Sequence, residues 1–366
     1  MSLVLAVASI DVIGLVMIYS ATHRRLAAHH GDPAYYVKRQ AAFVVGGAVL
    51  AAVTVLVDYR RWRALAPLVY LATCLALVAV VSPLGASSKG HQAWFSLGTY
   101  QFQPSELSKV ALIVCLAAGA SWSGQRTERA DEPALSGARF IALIALAGVP
   151  MGLIMLQPDL GTDLVYGAIL VAVLVVAGMR GRHLVALLVL GAVGAVAVLQ
   201  LGVLQRYQVD RLTSFLDASG KTSNVGYSLN ESMLAIGSGG ALGKGLLRGP
   251  QTNLSYVPEQ HTDFIFTAVG EQGGLVGSAL VLGLFAFVVW RIWRAAALAR
   301  DRTGTLMCVG VLALVVFQVF ENVGMTTGIM PIAGIPLPFL SYGGSAVMAY
   351  SVGIGLVLNI HMRRLT

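Results

Sequence analysis

Residues 258–290 read PEQHTDFIFTAVGEQGGLVGSALVLGLFAFVVW. From Phe264 to Trp290 the stretch is predominantly apolar and longer than the ~20 helical residues that cross a hydrocarbon core of about 30 Å. Asp263 stands directly before this run, and Glu271 lies inside it. Ionisable residues at membrane depth are rare and are functional candidates by default. The stretch therefore predicts a membrane-spanning helix with a functional group at one end.

The composition of the whole chain agrees with this stretch. Of its 366 residues, 57% are hydrophobic and only 11% are charged, and the mean hydropathy is +0.76. A soluble domain carries about 25% charged residues, so the composition excludes that class. We therefore predict an all-α polytopic membrane protein in which residues 1–366 form a single integral membrane domain. Ten apolar runs approach the length of a span, at 2–20, 38–57, 64–82, 105–121, 139–156, 160–179, 183–203, 264–290, 304–329 and 340–361.

The charged loops indicate how these spans are oriented. Ten spans place both termini on one side, and the short loops on that side hold more than half of the 25 lysine and arginine residues. Because basic residues in short loops stay in the cytoplasm, we predict that both termini are cytoplasmic. The longest connection, residues 204–263 between the seventh and eighth spans, is then extracytoplasmic. Loops of this length are usually functional or disordered, and its apolar residues predict that it is partly helical.

Two further motifs place charged groups at the outer ends of spans. QPSELSK at 103–109 puts Glu106 and Lys109 on one helix face, where structural pairing ranks ahead of direct chemistry. QPDLGTD at 157–163 puts Asp159 before the sixth span, where the role of a helix N-cap ranks at least level with a functional role. Asp163 is one turn further in and is harder to explain as a cap. Glu321 and Asn322 lie deep in the ninth span, where buried polar packing between helices is the leading explanation for both.

The glycine-rich stretch GSGGALGKG at 237–245 has the composition of a phosphate-binding loop. Ser238 stands where a Walker A loop begins with glycine, and Gly245 replaces its Ser or Thr. We therefore expect no nucleotide cofactor, and we expect no nucleic-acid partner. The backbone amides of the stretch could still bind a phosphate, or its glycines could form a flexible bend, and both alternatives stay open.

A cavity on the outer side that is lined by acidic and basic residues is suited to bind a lipid-linked diphosphate sugar. In such a site a carboxylate would deprotonate the acceptor hydroxyl, and a single displacement would invert the anomeric centre. Asp263, beside the longest outer loop, is the candidate base. Cations would stabilise the departing diphosphate, and the candidates are Lys109, Arg206, Arg211 and Lys244. Asp263, Glu259 and Glu271 are candidate ligands of a divalent ion, and His261 is expected to be a hydrogen-bonding group.

Five motifs in order along the chain resemble those of the SEDS family of polytopic membrane proteins, the FtsW, RodA and SpoVE relatives. They are QPSELSK (103–109), QPDLGT (157–162), IGSGG with GKG (236–245), VPEQHTDFIF (257–266) and GIPLPFLSYGGS (334–345). The resemblance covers nearly the whole chain. GKGLLRGPQ at 243–251 is more similar to RodA than to FtsW.

The resemblance implies a peptidoglycan glycosyltransferase of the bacterial cytoplasmic membrane that acts in cell elongation and rod shape. Family members polymerise lipid II into β-1,4-linked glycan strands on the outer face, with a class B penicillin-binding protein as transpeptidase partner and a divalent cation, Mg²⁺ or Mn²⁺. The essential Asp of the family matches Asp263, its paired acid and base match Glu106 and Lys109, and the Asp of its QPD motif matches Asp159. Glu231 and Asp163 depart from the family pattern, so the resemblance assigns them no role.

Two other function classes remain open at this stage. Membrane acids and broken helices also fit a lipid II flippase, although the inner loops here are short and rich in arginine. A non-catalytic scaffold that recruits the transpeptidase is the other alternative. Polymerisation of lipid II by the purified protein would separate the enzyme from both.

Overall fold

The computed structural model describes residues 1–88, 91–98, 100–121, 135–200, 208, 209, 211 and 224–364. Almost all of the regular structure in these residues is helical, as expected of an all-α membrane protein. The helices are α1 (Ser2–Ala28), α2 (Tyr35–Leu56), α3 (Tyr59–Ala64), α4 (Ala66–Val81), α5 (Pro104–Ser121), α6 (Gly137–Met155), α7 (Leu160–Val176), α8 (Gly181–Gln200), α9 (Asn224–Gly239), α10 (Pro250–Asn253), α11 (Ile265–Ala297), α12 (Arg302–Thr326) and α13 (Gly344–Met362).

A small antiparallel sheet interrupts the helical series between α4 and α5. Its strands are β1 (Ala86–Ser88), β2 (His91–Leu97) and β3 (Tyr100–Phe102), in the order β1-β2-β3. Ser88 pairs with His91, and Leu97 pairs with Tyr100, so each strand pairs antiparallel with the next one in the chain. The sheet leads directly into the QPSELSK motif and therefore positions the start of α5.

Hydropathy and length show which helices can cross a membrane. Seven of the described helices, α1, α2, α5, α6, α11, α12 and α13, are long and apolar enough. Three shorter apolar helical stretches, Ala66–Val81, Leu160–Val176 and Gly181–Gly194, coincide with the remaining predicted spans. The prediction of a polytopic all-α membrane protein is thus confirmed, whereas the count of ten spans stays a prediction.

The chain divides into two compact units. Unit 1 comprises Met1–Ala48, Arg206–Arg291 and Val315–Tyr350, and unit 2 comprises Val49–Gln205, Ile292–Leu314 and Ser351–Thr366. Each unit collects three separate parts of the chain, so neither corresponds to a contiguous stretch of sequence. The prediction of a single membrane domain stays a prediction.

Helix α5 lies at the centre of unit 2. It packs against α4, α6 and α7, and most of its residues are buried. This position explains why its hydropathy is the lowest of the seven long helices. A helix that faces other helices rather than lipid can hold polar residues that find partners inside the protein.

Helix α11 in unit 1 is not the single straight span that its apolar run predicts. Gly274 has φ 61° and ψ −157°, a conformation outside the helical range, so two helical segments meet there. A Cβ at Gly274 would lie within van der Waals overlap of the Gly243 backbone nitrogen. Glycine is required at Gly274 for both reasons. The break places the segment that follows Asp263 against residues 239–245.

The connection that precedes Asp263 is partly helical, as predicted. It contains α9 and α10, and α9 contributes Leu229 and Ala235 to a buried apolar cluster with Val257 and Phe264. Met325 and Ile332 complete this cluster. Helix α9 therefore packs onto the residues that flank Asp263, which fixes the end of this long connection.

Candidate active site

The backbone around Asp263 is a tight turn rather than the first turn of a long helix. Glu259 has φ 50°, and its carbonyl oxygen accepts hydrogen bonds from the amides of Thr262 (3.2 Å), Asp263 (3.1 Å) and Phe264 (3.4 Å). Helix α11 begins only at Ile265. The turn leaves the Asp263 side chain partly exposed while the following residues are buried.

Asn322 in α12 fastens this turn to the loop that follows α12. Its Nδ2 donates to the carbonyl oxygen of Asp263 at 2.8 Å and to that of Ile335 at 2.7 Å. Asn322 is completely buried; its bond to Ile335 is buried as well, whereas its bond to Asp263 is partly buried. The side chain of Asn322 thus helps to set the position of Asp263 relative to residues 331–343. The sequence predicted only polar packing here, and nothing in the sequence indicated that Asn322 would hold the backbone of the candidate base.

Gly334 lies where Asp263 and Arg211 approach the same point. A Cβ on Gly334 would lie 3.2 Å from Nη1 of Arg211 and 3.5 Å from Oδ2 of Asp263. The guanidinium and the carboxylate are therefore separated by no more than the sum of these distances. Arg211 is further held by a 3.3 Å bond from Nη1 to the carbonyl of Ala333. Gly334 belongs to the motif GIPLPFLSYGGS, and that motif is the sequence signal for this part of the site.

His261 lies in an aromatic cluster next to Asp263. Its ring centroid is 4.6 Å from that of Tyr36 and 5.6 Å from that of Tyr342, and the residue is only 7% exposed. The carbonyl of His261 also accepts a 2.9 Å bond from the amide of Tyr342. The ring therefore packs between α2 and the loop before α13, and the prediction of a hydrogen-bonding role for His261 stays a prediction.

Glu271 is a structural anchor. It is fully buried, and its Oε1 accepts from the amide of Gln251 at 2.7 Å, while its Oε2 accepts from the amide and hydroxyl of Thr252 at 2.9 and 2.6 Å. Because both oxygens are occupied by donors from α10, Glu271 fits this role better than that of a metal ligand.

The glycine-rich stretch at 237–245 packs backbone to backbone against α11. The amides of Lys244 and Gly245 donate to the carbonyls of Glu271 (2.9 Å) and Gln272 (3.1 Å). A Cβ at Gly239 would overlap the carbonyl oxygen of Gly270. The amides of Lys244 and Gly245 are thus engaged within the protein, and the glycines permit close packing. The side chain of Lys244 remains exposed, so its predicted role as a diphosphate-binding cation stays a prediction.

Unit 2 contains the predicted pair of Glu106 and Lys109. Lys109 Nζ lies 2.7 Å from Glu106 Oε1, and the two side chains are 2% and 5% exposed. Next to them, the Tyr166 hydroxyl donates to Ser108 Oγ at 2.5 Å. A buried ion pair needs good geometry and further hydrogen bonds to offset the cost of desolvation. Glu106 Oε2 has no hydrogen-bond partner among the described residues.

Asp159 caps α7. Its Oδ1 accepts from the amide of Thr162 at 3.0 Å, and its Oδ2 accepts from the Thr162 hydroxyl at 2.8 Å. The same Oδ2 accepts from Nε2 of Gln103 at 3.3 Å. The N-cap alternative is thus observed, and Asp159 additionally joins the QPD motif to the first residue of QPSELSK.

The structure therefore gathers the predicted residues in two groups. Asp263, Arg211 and His261 lie together in unit 1, and Glu106, Lys109 and Asp159 lie in unit 2. Arg206 falls outside the described residues. Glu259 contributes its backbone to the turn, and its side chain is partly exposed. Within the described part of the chain no three His, Cys, Asp or Glu side chains form a metal-binding group.

Comparisons with known proteins agree with this arrangement. A family profile described as "Cell cycle protein", which covers FtsW, RodA and SpoVE, matches residues 1–365. The probable peptidoglycan glycosyltransferase FtsW of Trichlorobacter lovleyi is 34% identical over 98% of this chain and 92% of its own length. The peptidoglycan glycosyltransferase MrdB of Escherichia coli K12 is 36% identical over 90% of this chain and 86% of its own length.

Two solved structures share the fold. One is a chain of a peptidoglycan synthase complex described as coordinating polymerization and crosslinking; it has a TM-score of 0.81 and 32% identity, over 100% of this chain and 98% of that one. The other is the rod shape determining protein RodA of Thermus thermophilus, with a TM-score of 0.72 and 31% identity, over 100% of this chain and 97% of that one. The chain therefore belongs to the FtsW, RodA and SpoVE family and is a glycosyltransferase.

Proposed function

We propose that the protein is a peptidoglycan glycosyltransferase that polymerises lipid II into β-1,4-linked glycan strands. The observation that carries this proposal is Asp263, whose backbone carbonyl is held by Asn322 and whose carboxylate approaches the Arg211 guanidinium at Gly334. A base beside a cation suits transfer of a sugar from a lipid diphosphate. The names of the relatives support peptidoglycan as the product.

The proposed reaction is a single displacement. The Asp263 carboxylate takes the proton of the acceptor sugar hydroxyl as its oxygen attacks the anomeric carbon of the donor. The bond between that carbon and the diphosphate oxygen breaks, and the electron pair leaves with the lipid diphosphate. Arg211 stabilises the negative charge that develops on this leaving group. One displacement inverts an α-linked donor to a β-linkage.

The site could bind a divalent cation if the substrate supplied the remaining ligands of that ion. Mg²⁺ is usually held by one or two carboxylates together with phosphate oxygens and water. Asp263, with the partly exposed Glu259 four residues earlier, could supply such carboxylates. When bound, the ion would add positive charge beside the departing diphosphate. We expect EDTA to lower the polymerisation rate and Mg²⁺ or Mn²⁺ to restore it.

We further propose that the protein acts in the bacterial cytoplasmic membrane, with both termini in the cytoplasm, and that a class B penicillin-binding protein is its partner. One chain of a peptidoglycan synthase complex shares the fold of this protein, and its presence in such a complex supports a partner of this kind. Relatives named FtsW and MrdB are similarly close, at 34% and 36% identity, and GKGLLRGPQ at 243–251 favours an elongation role. Restoration of rod shape in cells depleted of RodA, without restoration of division in cells depleted of FtsW, would support elongation.

Polymerisation by the purified protein tests the central proposal. Wild type, with its transpeptidase partner, labelled lipid II and Mg²⁺, should form glycan strands, and Asp263→Asn should form none. Asp32→Asn is a matched control because Asp32 is an exposed acid of the same unit, paired with Lys38 at 2.8 Å. Strand formation by Asp263→Asn at the wild-type rate would exclude Asp263 as the base. Wild-type vesicles that move lipid II across the bilayer without polymerising it would favour the flippase.

A further inference from the structure

An arginine-lined cleft lies in unit 2, in residues that the proposed reaction does not use. It has a volume of about 370 Å³ and lies where α2 ends and α13 ends. Its lining consists of Leu56, Asp58, Arg60, Arg61, Ala64 and Arg363. We propose that this cleft binds the phosphate headgroup of an anionic phospholipid in the cytoplasmic leaflet.

Hydrogen bonds from Asn359 and Arg363 join the end of α2 to the wall of the cleft. The two hydrogens of Asn359 Nδ2 are shared among the carbonyls of Thr54 (2.8 Å), Val55 (2.9 Å) and Val57 (2.5 Å) at the end of α2. Arg363 extends this cap through a 3.2 Å bond from Nη2 to the carbonyl of Leu56. The carbonyl groups at a helix end need such partners. The wall that holds Arg363 is therefore in place before any ligand arrives.

The charges of the cleft favour an anion. Three arginines face one acid, Asp58, so the lining has a formal excess of two positive charges. Asp58 is already engaged, because its Oδ1 accepts from the amide of Arg60 at 2.9 Å and its Oδ2 lies 3.6 Å from Nη1 of Arg363. Arg61 is exposed, and it forms no ion pair with any residue that the structure describes. Guanidinium groups match the geometry of phosphate oxygens and can bind them with paired hydrogen bonds.

The apolar residues at the cleft favour a lipid over a soluble anion or an acidic protein. Leu56, which lines the cleft, is 78% exposed, and Leu65 just beyond α3 is 44% exposed. Trp62 lies in α3 between the arginines and Leu65, and tryptophan is enriched at headgroup depth. Basic pockets between membrane helices on the cytoplasmic side are typical sites of anionic headgroups. The cytoplasmic location rests on the predicted orientation.

Lipid binding by purified protein in uncharged detergent tests the inference. Phosphatidylglycerol should be retained in native mass spectrometry and should raise the thermal unfolding midpoint more than phosphatidylcholine does. In Arg60→Gln/Arg61→Gln the affinity for phosphatidylglycerol should fall about tenfold or more, as expected for the loss of charge-assisted hydrogen bonds. Arg24→Gln/Arg25→Gln is the matched control, since it removes two adjacent exposed arginines elsewhere. Arg60→Lys/Arg61→Lys should recover part of the affinity.

Three other results would each overturn the inference. Equal loss in both glutamine variants would show a general charge attraction without a site. Equal stabilisation by inorganic phosphate alone would assign the cleft to a free anion. An effect of polyglutamate without an effect of phosphatidylglycerol would assign it to an acidic protein. None of these readouts uses lipid II polymerisation, so failure here leaves the proposed function intact.

Discussion

Replacement of Asn322 by leucine tests how Asp263 is positioned. The substitution removes the Nδ2 group that donates to the carbonyls of Asp263 at 2.8 Å and Ile335 at 2.7 Å. Leucine has the same branching at Cγ and the same number of side-chain heavy atoms as asparagine, so the change removes the hydrogen bonds while keeping the shape of the side chain. The loop at 331–343 and the turn at 259–264 then lose two bonds that connect them, while the bond from the Tyr342 amide to the His261 carbonyl remains.

The magnitude follows from the environment of the two carbonyls. A buried acceptor left without a donor costs about 1–3 kcal/mol. The bond to Ile335 is buried, whereas the bond to Asp263 is partly buried, so water can reach that carbonyl in the variant. We therefore expect Asn322→Leu to destabilise the protein by about 2–4 kcal/mol. Because misplacement of a catalytic group by about 1 Å can cost a hundredfold in rate, we expect polymerisation to fall by about tenfold or more.

Gln318, one turn earlier in α12, provides the matched control. It is also fully buried, but neither its amide nitrogen nor its oxygen has a hydrogen-bond partner among the described residues. Gln318→Leu should therefore change stability by less than about 1 kcal/mol or should stabilise the protein. Thermal unfolding in detergent and lipid II polymerisation are measured for both variants. Equal behaviour of Asn322→Leu and Gln318→Leu in both assays would refute the positioning role of Asn322.

Three further predictions address the other buried groups. Glu271→Ala should destabilise the protein by about 3 kcal/mol or more in thermal unfolding, because the donors of α10 lose a charged acceptor; a neutral result would contradict the anchor role. Gly274→Ala should prevent stable folding, whereas Gly273→Ala, whose Cβ meets nothing within 4 Å, should fold; equal yields of folded protein would disprove the close approach. Lys109→Met should cost about 3–5 kcal/mol because it leaves Glu106 buried and unpaired; the double variant Glu106→Leu/Lys109→Met should be more stable than Lys109→Met, and the opposite order would refute the pairing argument.

The membrane-spanning helices could be predicted because lipid leaves few alternatives. Without water to satisfy its backbone groups, a long apolar run must form a helix, and within the described residues each predicted span overlaps a helix. The helices nevertheless continue beyond the apolar runs. Helix α1 extends to Ala28 through Arg24 and Arg25, because arginine is a good helix former. Hydropathy detects the part of a helix in lipid rather than the whole helix.

The roles of the acids could be predicted only in part, because each depends on what lies opposite. The pair of Glu106 and Lys109 is local, three residues apart on one helix, and was accessible from spacing. In the sequence, Glu271 was a candidate metal ligand only because it is an acidic residue close to Asp263. Its true partners are amides about twenty residues away in α10, and no local pattern specifies such a contact.

The sequence by itself determined the membrane class, the series of helices and the candidate base, because hydropathy and the HTDFIF motif are local properties. Only the tertiary structure decided what surrounds that base. It placed Asn322 on the carbonyl of Asp263 and brought Arg211 to the same glycine as the carboxylate, and it broke α11 at Gly274 against the backbone of Gly243. These contacts join residues that are far apart in the chain. Their geometry depends on how the helices pack against one another, and no local sequence pattern specifies that packing.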